Sequence, residues 1–488
     1  MLTVSVRNLG PLSSGTLDIK PLTVIVGPNN SGKSHLTLLI YSVLTAASDP
    51  DTFAGPVFSH APLRTTSRVA RGKQHERLET VSSELNQWLD SRPEPITMRR
   101  NLPKVEDMPD SFLNVLNFSI AAVGKNMAES LAFQLERSFG SDLGRLKRFE
   151  AVNSFGITLR GGQPATGWSL RYRLAEEKLR GSAAVVRGLG MPIPPALWAR
   201  GLYREFESER RIRFLVRRLV QLIFADLVVS PFYLPAARSG FMQSHRALVS
   251  SALDRATRTG LIDSPKIVPL NGPVVDFLQL LIQLTDRTYG TLFERDVDDK
   301  AARVGDFIEE QLLEGKVGIS SEDSPYPEIV YTETASGQPL LINRTSTMVS
   351  ELAPLVLFLR HYINPGNLLI IEEPEAQLDP GNQRLLAKVL ARLVRADVRV
   401  LITTHSDYLL GEMNNLLKRG DLPDAVRESR GYGSEDYLMK TEINAYFVEE
   451  TTDGNVLRPL KVSKKNGIDD RQFAEVALSL YNESAALG

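Results

Sequence analysis

The richest chemistry in the chain sits in residues 27–34, GPNNSGKS, which fit the spacing G-x-x-x-x-G-K-S of a phosphate-binding loop. Gly27 and Gly32 let backbone N–H groups close around phosphate oxygens. A helix opening at Lys33 adds the positive end of its dipole to the same place. Lys33 is expected to reach the outer phosphates of a nucleotide and to act in catalysis, and Ser34 to hold Mg²⁺. Pro28, Asn29, Asn30, Ser31 and His35 complete the stretch expected to line the phosphates. Set alone, the string is a glycine turn; its flanks decide otherwise. An apolar run over residues 22–26 suits a buried strand, and residues 33–46 suit a helix, which is the order the motif needs.

Far downstream, residues 367–380 read NLLIIEEPEAQLDP, an apolar strand ending in two carboxylates. Glu372, at the strand's end, can hold a Mg²⁺ shell. Glu373, one residue on, is expected to project the other way because strand side chains alternate, and to orient or deprotonate an attacking water. Read without the phosphate loop, the same residues are an acidic loop after a parallel strand. A third apolar run, residues 398–403, leads into Thr404, His405, Ser406 and Asp407. A histidine there faces the ligand crevice of an open α/β sheet and can contact a γ-phosphate or the water. A structural histidine is the alternative.

The elements around these residues alternate between strand and helix. Residues 1–26 read as three short strands, with turns near Asn8–Pro11 and Lys20–Pro21. Residues 57–228 are largely helical in composition, broken at 93–95 and 191–195. No heptad pattern persists long enough for a coiled coil, so this insertion is expected to be a compact helical arm. Strand character returns at 227–234, then helices to about Leu313. Short strands are expected near 317–320, 328–332 and 340–344, helices over 350–362 and 382–395, and a last helix over 471–486.

The order of phosphate loop, long insertion, STMVSELAPL, LLIIEEPEAQLDP and LITTHSDYLL resembles the ABC-type ATPase heads of the OLD, RecF and SMC group. It is most similar to OLD-like ATPases of bacterial anti-phage systems. The resemblance covers about residues 1–48 and 229–475. It implies an α/β fold: an ABC-type P-loop ATPase head with a mixed sheet and a large helical insertion. The head would be split into residues 1–48 and 229–488, with the arm at 49–228. It makes Lys33 and Ser34 the Walker A residues, Glu372 and Glu373 the Walker B pair, Asp379 the D-loop residue and His405 the switch histidine. Ser346 and Thr347 fall in the signature segment that meets the other subunit's ATP. Two positions depart from the pattern: Glu372 stands where many relatives have Asp, and Met348 where a signature glycine is common. Gln243 is a candidate for the Q-loop glutamine. ATP and Mg²⁺ are the implied ligands, and a homodimer or higher homo-oligomer the implied assembly.

Composition narrows the class further. The chain has 488 residues, 42 % hydrophobic and 24 % charged, enough for two or three domains. It holds no cysteine, which excludes disulfides, thiolate metal sites and cysteine nucleophiles. No apolar run reaches membrane-span length, and MLTVSVRNLG does not read as a secretory start, so a cytoplasmic protein with no membrane partner is expected. The net charge is −1, so any nucleic-acid surface must be a local patch. Arg210, Arg213 and Arg217 fall on one helical face, flanked by Arg211 and Arg218, opposite the apolar Ile212, Leu215, Val216, Leu219 and Ile223. That face either grips double-stranded DNA or is a solvated surface balanced by Glu205, Glu207 and Glu209. Arg238 either reaches a nucleotide or partner, or is an ordinary turn arginine.

Two functional classes follow. One is a dimeric ATPase whose closure on ATP governs an effector protein in trans, a nuclease or toxin, in phage defence. The other is a RecF-like DNA-repair clamp without an effector. A self-contained nuclease is disfavoured: residues 408–488 lack the acidic motifs of a Toprim domain, and Asp469–Asp470 alone is not a metal site.

Overall fold

The computed structural model describes residues 1–49, 51–53, 68–91, 102–148, 155–163, 166–186, 188–194, 197, 208–244, 270–284, 300–320, 328–463, 466–469, 479 and 482–487. The chain divides into two units. The first comprises Met1–Asp18, Ser42–Glu136 and Ser141–Ser230; the second comprises Ile19–Tyr41, Arg137–Gly140 and Pro231–Gly488.

Five strands build the first unit's sheet, in the order β6-β5-β4-β1-β2. They are β1 (Leu2–Leu9), β2 (Leu12–Ile19), β4 (Gly156–Gln163), β5 (Thr166–Ala175) and β6 (Lys178–Val185). β1 pairs antiparallel with β4, β4 with β5 and β5 with β6. Strand β5 shows why this meander forms: Trp168, Leu170 and Tyr172 are buried while Arg171 and Arg173 are exposed, the period of a strand with one wet face. Glu176 and Glu177 both take positive φ, 50° and 63°, the tight hairpin turn whose twist suits antiparallel strands. Helix α3 (Asp110–Phe139) lies so close to β6 that a Cβ on Gly181 would sit 2.0 Å from the Gly124 carbonyl oxygen.

The segment 57–228 is therefore helical only in part. Helices α2 (Arg68–Asp90), α3, the short α4 (Leu143–Leu146) and α5 (Ser208–Ile223) are joined by the β4–β6 meander. The alternation in TGWSLRYRLA specifies a strand, and its arginines occupy the wet face. On α5, Ile212, Leu215, Val216, Leu219 and Ile223 are all buried, the apolar face expected from their spacing. The expected breaker at 93–95 lies outside the described residues.

The second unit's main sheet is mixed, in the order β14-β13-β3-β12-β11-β7. Strands β3 (Leu22–Val26), β7 (Pro231–Leu234), β11 (Leu368–Glu372), β12 (Arg399–Thr404) and β13 (Ile443–Glu449) run parallel, and β14 (Asn455–Leu460) is antiparallel to β13. Every residue of β3 and β11 is buried, as continuous apolar runs with both faces covered must be. Helix α1 (Lys33–Ala47) follows β3; it begins in the second unit, and its residues from Ser42 on belong to the first.

Helices α6 (Gly272–Leu284) and α7 (Lys300–Ile308) lead through a π-helical turn, Glu309–Leu313, to a three-stranded antiparallel meander. Its strands are β8 (Gly315–Ser320), β9 (Glu328–Glu333) and β10 (Pro339–Leu341). The third ends early, because residues 342–344 turn into a 3₁₀ helix. Helix α8 (Thr347–His361) starts earlier than apolar periodicity suggests, because the Ser346 hydroxyl caps it by accepting from the Val349 N–H. Helix α9 (Pro380–Arg395) likewise starts at its proline, capped by Asp379. Helix α10 (Asp407–Gly420) is capped by Ser406. Helix α11 (Asp424–Ser429) and the β15 (Val462–Ser463) and β16 (Gly467–Ile468) pair follow. Of the last expected helix, residues 479 and 482–486 are helical and the rest lies outside the described residues.

Candidate nucleotide site

Four parallel strands end side by side, and each delivers its next residues to the same edge. Val26 pairs with Thr404, Thr403 with Glu372, and Ile371 with Leu234. The carboxyl ends of neighbouring parallel strands are where open α/β sheets bind ligands. Here they are followed by the phosphate loop after β3, His405 after β12, Glu373 after β11 and Arg238 after β7.

The loop's shape depends on its glycines. Gly27 has φ 156° and Gly32 φ 105°, and Asn30, at φ 62°, takes the left-handed conformation that asparagine tolerates. A Cβ on Gly27 would press on the Val448 carbonyl at 3.1 Å and on Ser31 Oγ at 3.2 Å. Asn455 Nδ2 donates to the Ser31 carbonyl at 2.7 Å and props the loop from β14. Pro28, Asn29 and Asn30 are exposed; Ser31, Gly32 and Lys33 are buried.

Lys33 Nζ donates to the loop's own carbonyls, Gly27 O at 2.9 Å and Pro28 O at 2.8 Å. Burial pushes its pKa below the ordinary lysine value, and the charges of Glu373, Glu375 and Glu372 oppose that shift. The Ser31 hydroxyl is buried with no hydrogen-bond partner. A buried ammonium held only by carbonyls, an orphaned hydroxyl and a glycine loop at a helix N-terminus fit a polyphosphate. His35 turns its ring onto Phe139, centroids 5.4 Å apart, and burial lowers its pKa. Its side chain therefore belongs to the packing rather than to the phosphate lining. Ser34 is exposed at the first turn of α1.

Glu372 is 9 % exposed, and its Oε1 accepts from the Thr37 hydroxyl at 2.9 Å, one turn beyond Ser34. The Tyr233 hydroxyl stands 3.3 Å from that of Thr37, and burial, then the charge of Glu372, raise the tyrosine's pKa. Ser34 and Glu372 offer the hard oxygens that suit Mg²⁺, which typically takes one or two carboxylates together with phosphates of its substrate. Among the described residues no cluster of three or more His, Asp or Glu forms a stand-alone metal site.

Glu373 differs from the expectation based on strand alternation. It lies beyond the end of β11 with φ 44°, a left-handed conformation rare for glutamate, so a turn rather than a pleat aims its carboxylate. Its N–H is held by the Thr403 carbonyl at 3.0 Å and the Thr403 hydroxyl at 3.2 Å. Its Oε1 lies 3.8 Å from His405 Nδ1.

Sequence reasoning missed a third carboxylate. Glu375 is 4 % exposed; its Oε1 accepts from the Thr404 hydroxyl at 2.6 Å and the His405 N–H at 2.9 Å, and lies 3.6 Å from His405 Nδ1. It fixes the backbone of the histidine, and its Oε2 is buried without a hydrogen-bond partner. The E-E-P-E spacing is visible in the sequence, but nothing local says that its last member turns inward. Arg238 is likewise neither a nucleotide contact nor a surface turn residue: it is 1 % exposed and bonded to the carbonyls of Glu372 and Glu373.

The remaining candidates sit on helix termini. Ser346 and Thr347 are exposed at the start of α8, with the Met348 sulfur accepting from Asn382 Nδ2 at 3.3 Å. Asp379 is exposed and accepts from the N–H groups of Gly381 and Asn382 at 2.8 and 3.2 Å. Gln243 is exposed two residues beyond Phe241, in the segment that follows Arg238.

A sequence family described as an AAA ATPase domain matches residues 285–410, the segment that holds the α8 terminus, Glu372, Glu373, Asp379 and His405. No curated protein sequence matches the chain. Solved structures similar to it include an SMC head bound to the C-winged helix domain of ScpA, at 10 % identity and TM-score 0.44, covering 95 % of this chain and 98 % of that one. An SMC head domain from Thermotoga maritima aligns at 10 % identity and TM-score 0.36, covering 94 % and 98 %. An SMC head with an extended coiled coil, bound to the C-terminal domain of ScpA derived from Pyrococcus furiosus, aligns at 10 % identity and TM-score 0.42, covering 99 % and 100 %. The AAA ATPase match and the phosphate loop agree in class: together they support a P-loop ATPase.

Proposed function

We propose that this protein is an ABC-type ATP hydrolase that closes as a homodimer around ATP and thereby governs a separate effector, a nuclease or toxin, in anti-phage defence. One observation carries the catalytic part: buried Lys33 faces the charges of Glu372, Glu373 and Glu375 across neighbouring strand ends. In this reading ATP replaces the Gly27 and Pro28 carbonyls as the partner of Lys33. Glu373 accepts a proton from the attacking water. His405, fixed through Glu375, contacts the γ-phosphate. Ser34 and Glu372 would hold Mg²⁺, which would supply neutralisation of the phosphate charge.

The exposed hydroxyls of Ser346 and Thr347, at a helix N-terminus, suit the phosphates of a second subunit's ATP. Asp379 is assigned to the same subunit interface, because Asn382, which it holds, also bonds Met348 beside that helix start. The effector and the defensive role rest on the resemblance of the motif order to OLD-like ATPases; a cytoplasmic location rests on the composition and apolar patterning of the sequence. Among the described residues no helix is long and apolar enough to cross a membrane. A second reading, a RecF-like clamp on double-stranded DNA, is favoured by the exposed Arg217 and Arg218 of α5 and by Arg210 on the same helix.

Light scattering of Glu373→Gln protein tests the assembly: ATP should shift it to dimer or higher oligomer, whereas a strictly monomeric, fully active ATPase would rule the arrangement out. Co-expression with the neighbouring gene product and pull-down, with and without Lys33→Ala, tests the effector. Nuclease activity of this protein alone with Mg²⁺ would overturn the two-component reading.

A further inference from the structure

Arg238 is a costly residue to place where it is. Its guanidinium is 1 % exposed, and burial pushes its pKa below the ordinary arginine value. The partner, Glu351 of α8, is also 1 % exposed, and burial pushes its carboxyl up. An apolar pair of similar volume would fill this space without the desolvation cost of two charges. What an apolar pair would not provide is a set of directed donors.

Those donors converge on one stretch of backbone. Nη1 donates to the Glu372 carbonyl at 2.7 Å and to the Pro235 carbonyl at 2.9 Å; Nη2 donates to the Glu373 carbonyl at 3.2 Å. Nε donates to the Glu351 carbonyl at 3.3 Å, and Nη2 lies 2.5 Å from Glu351 Oε1. Glu351 Oε2 in turn accepts from the Ser239 N–H at 2.9 Å. The two successive carbonyls held by Arg238 bracket the residue with φ 44°, the left-handed turn that aims the Glu373 side chain. Such a conformation persists only where its surroundings hold it. A planar, five-donor guanidinium can hold both carbonyls and a carboxylate at once; a lysine ammonium on a flexible stem cannot reproduce that fork.

We propose that Arg238, oriented by Glu351, is a positioning residue that locks the Glu372–Glu373 backbone turn and ties it to the first turns of the helix that begins at Thr347. The proposal deepens the ATPase reading and rests on it: Arg238 touches no substrate and acts through Glu373. Through Glu351, a shift of α8, whose N-terminus carries Ser346 and Thr347, would reach the Glu373 carboxylate by way of two buried side chains.

Arg238→Lys, Glu351→Gln, Glu373→Gln and the Arg238→Lys/Glu373→Gln double variant test it. Each is followed by thermal melting, by titration with a fluorescent ATP analogue and by steady-state phosphate release. Arg238→Lys is expected to lower kcat by about a hundredfold, the scale of an ångström-level misplacement of a catalytic group. KM and analogue affinity should stay close to those of the parent protein. Glu351→Gln should lower kcat in the same direction but less. In the Glu373→Gln background Arg238→Lys should add almost nothing, because both act through one carboxylate.

Unchanged kcat in Arg238→Lys, or independent multiplicative losses in the double variant, would overturn the proposal. Loss of analogue binding in step with kcat would also overturn it, as the mark of a merely structural role. If Arg238→Lys fails to give a folded protein, Glu351→Gln decides: kcat loss with affinity kept supports the pair, and parental kcat sinks it. Full activity of the Glu373→Gln protein by itself would instead remove the catalytic reading of Glu373, a failure distinguishable from the others.

Discussion

In the first unit the buried polar side chains of the described residues, aromatic rings aside, are all hydroxyls: Ser42, Thr52, Ser82, Ser119, Thr166 and Ser169. Among the described residues the buried charged side chains all lie in the second unit, with Lys33, Arg238, Glu351, Glu372 and Glu375 at or beside the strand ends. The sheets differ in the same way. The first unit's antiparallel strands keep one wet face, where β5 places Arg171 and Arg173; the second unit's β3 and β11 are buried throughout. A hydroxyl can be buried at modest cost, but a charge needs a partner and directed hydrogen bonds. Concentration of buried charge therefore separates a unit built for packing from one that also holds chemistry.

The sharpest break of that contrast is Lys33→Ala. Removing the one buried ammonium of the loop should weaken ATP binding by at least about a hundredfold, the scale of a charge-assisted hydrogen bond to phosphate, by calorimetric titration. Retained affinity would make the loop a structural turn and dissolve the difference between the units. Next in size, Glu373→Gln should bind ATP but release phosphate about 10²–10⁴-fold more slowly, since an amide cannot take the water's proton; a malachite-green assay reads this. Full turnover would move the role to Glu372 or His405.

A substitution in the first unit should act on stability alone. The Cβ of Gly181→Val would meet the Gly124 carbonyl oxygen at 2.0 Å and Tyr172 Cε1 at 2.6 Å. Overpacking of that kind should lower unfolding free energy by about 1–3 kcal/mol in denaturant titrations. ATP affinity measured under folding conditions should not change, and a matching fall in affinity would show that the first unit shares in the chemistry. The smallest expected effect is on DNA. Replacing Arg210, Arg213 and Arg217 by Glu should weaken duplex binding across sequences, and the slope of log affinity against log salt should fall by about 0.9 for each phosphate left without its arginine. Unchanged binding would return α5 to the reading as a solvated face.

Much of this is legible in one dimension because its causes are local. The positive φ of Gly27 and Gly32 is a property of glycine, and the buried strands β3, β11 and β12 announce themselves as unbroken apolar runs. Ser346, Asp379 and Ser406 cap the helices that follow them through hydrogen bonds spanning two or three residues. The β4–β6 meander is legible too, in the alternation of Trp168, Leu170 and Tyr172 with polar residues. The composition of 57–228, rich in arginine and leucine, points to helix instead, but the period and not the composition sets the element.

The sequence by itself determined that a phosphate loop, a metal-binding and a catalytic carboxylate candidate (Glu372 and Glu373) and a histidine each stand at the end of an apolar strand, because strand, turn and cap signals act over a few residues. Only the tertiary structure decided that β12 lies between β3 and β11, which brings those ends together from positions hundreds of residues apart. It alone turned Glu373 into a left-handed conformation, buried Glu375 beneath His405 and sealed Arg238 against two carbonyls. The reason is physical: whether a charged side chain meets water or a partner depends on which strands become neighbours, and such non-local pairing leaves no trace in the residues on either side of it.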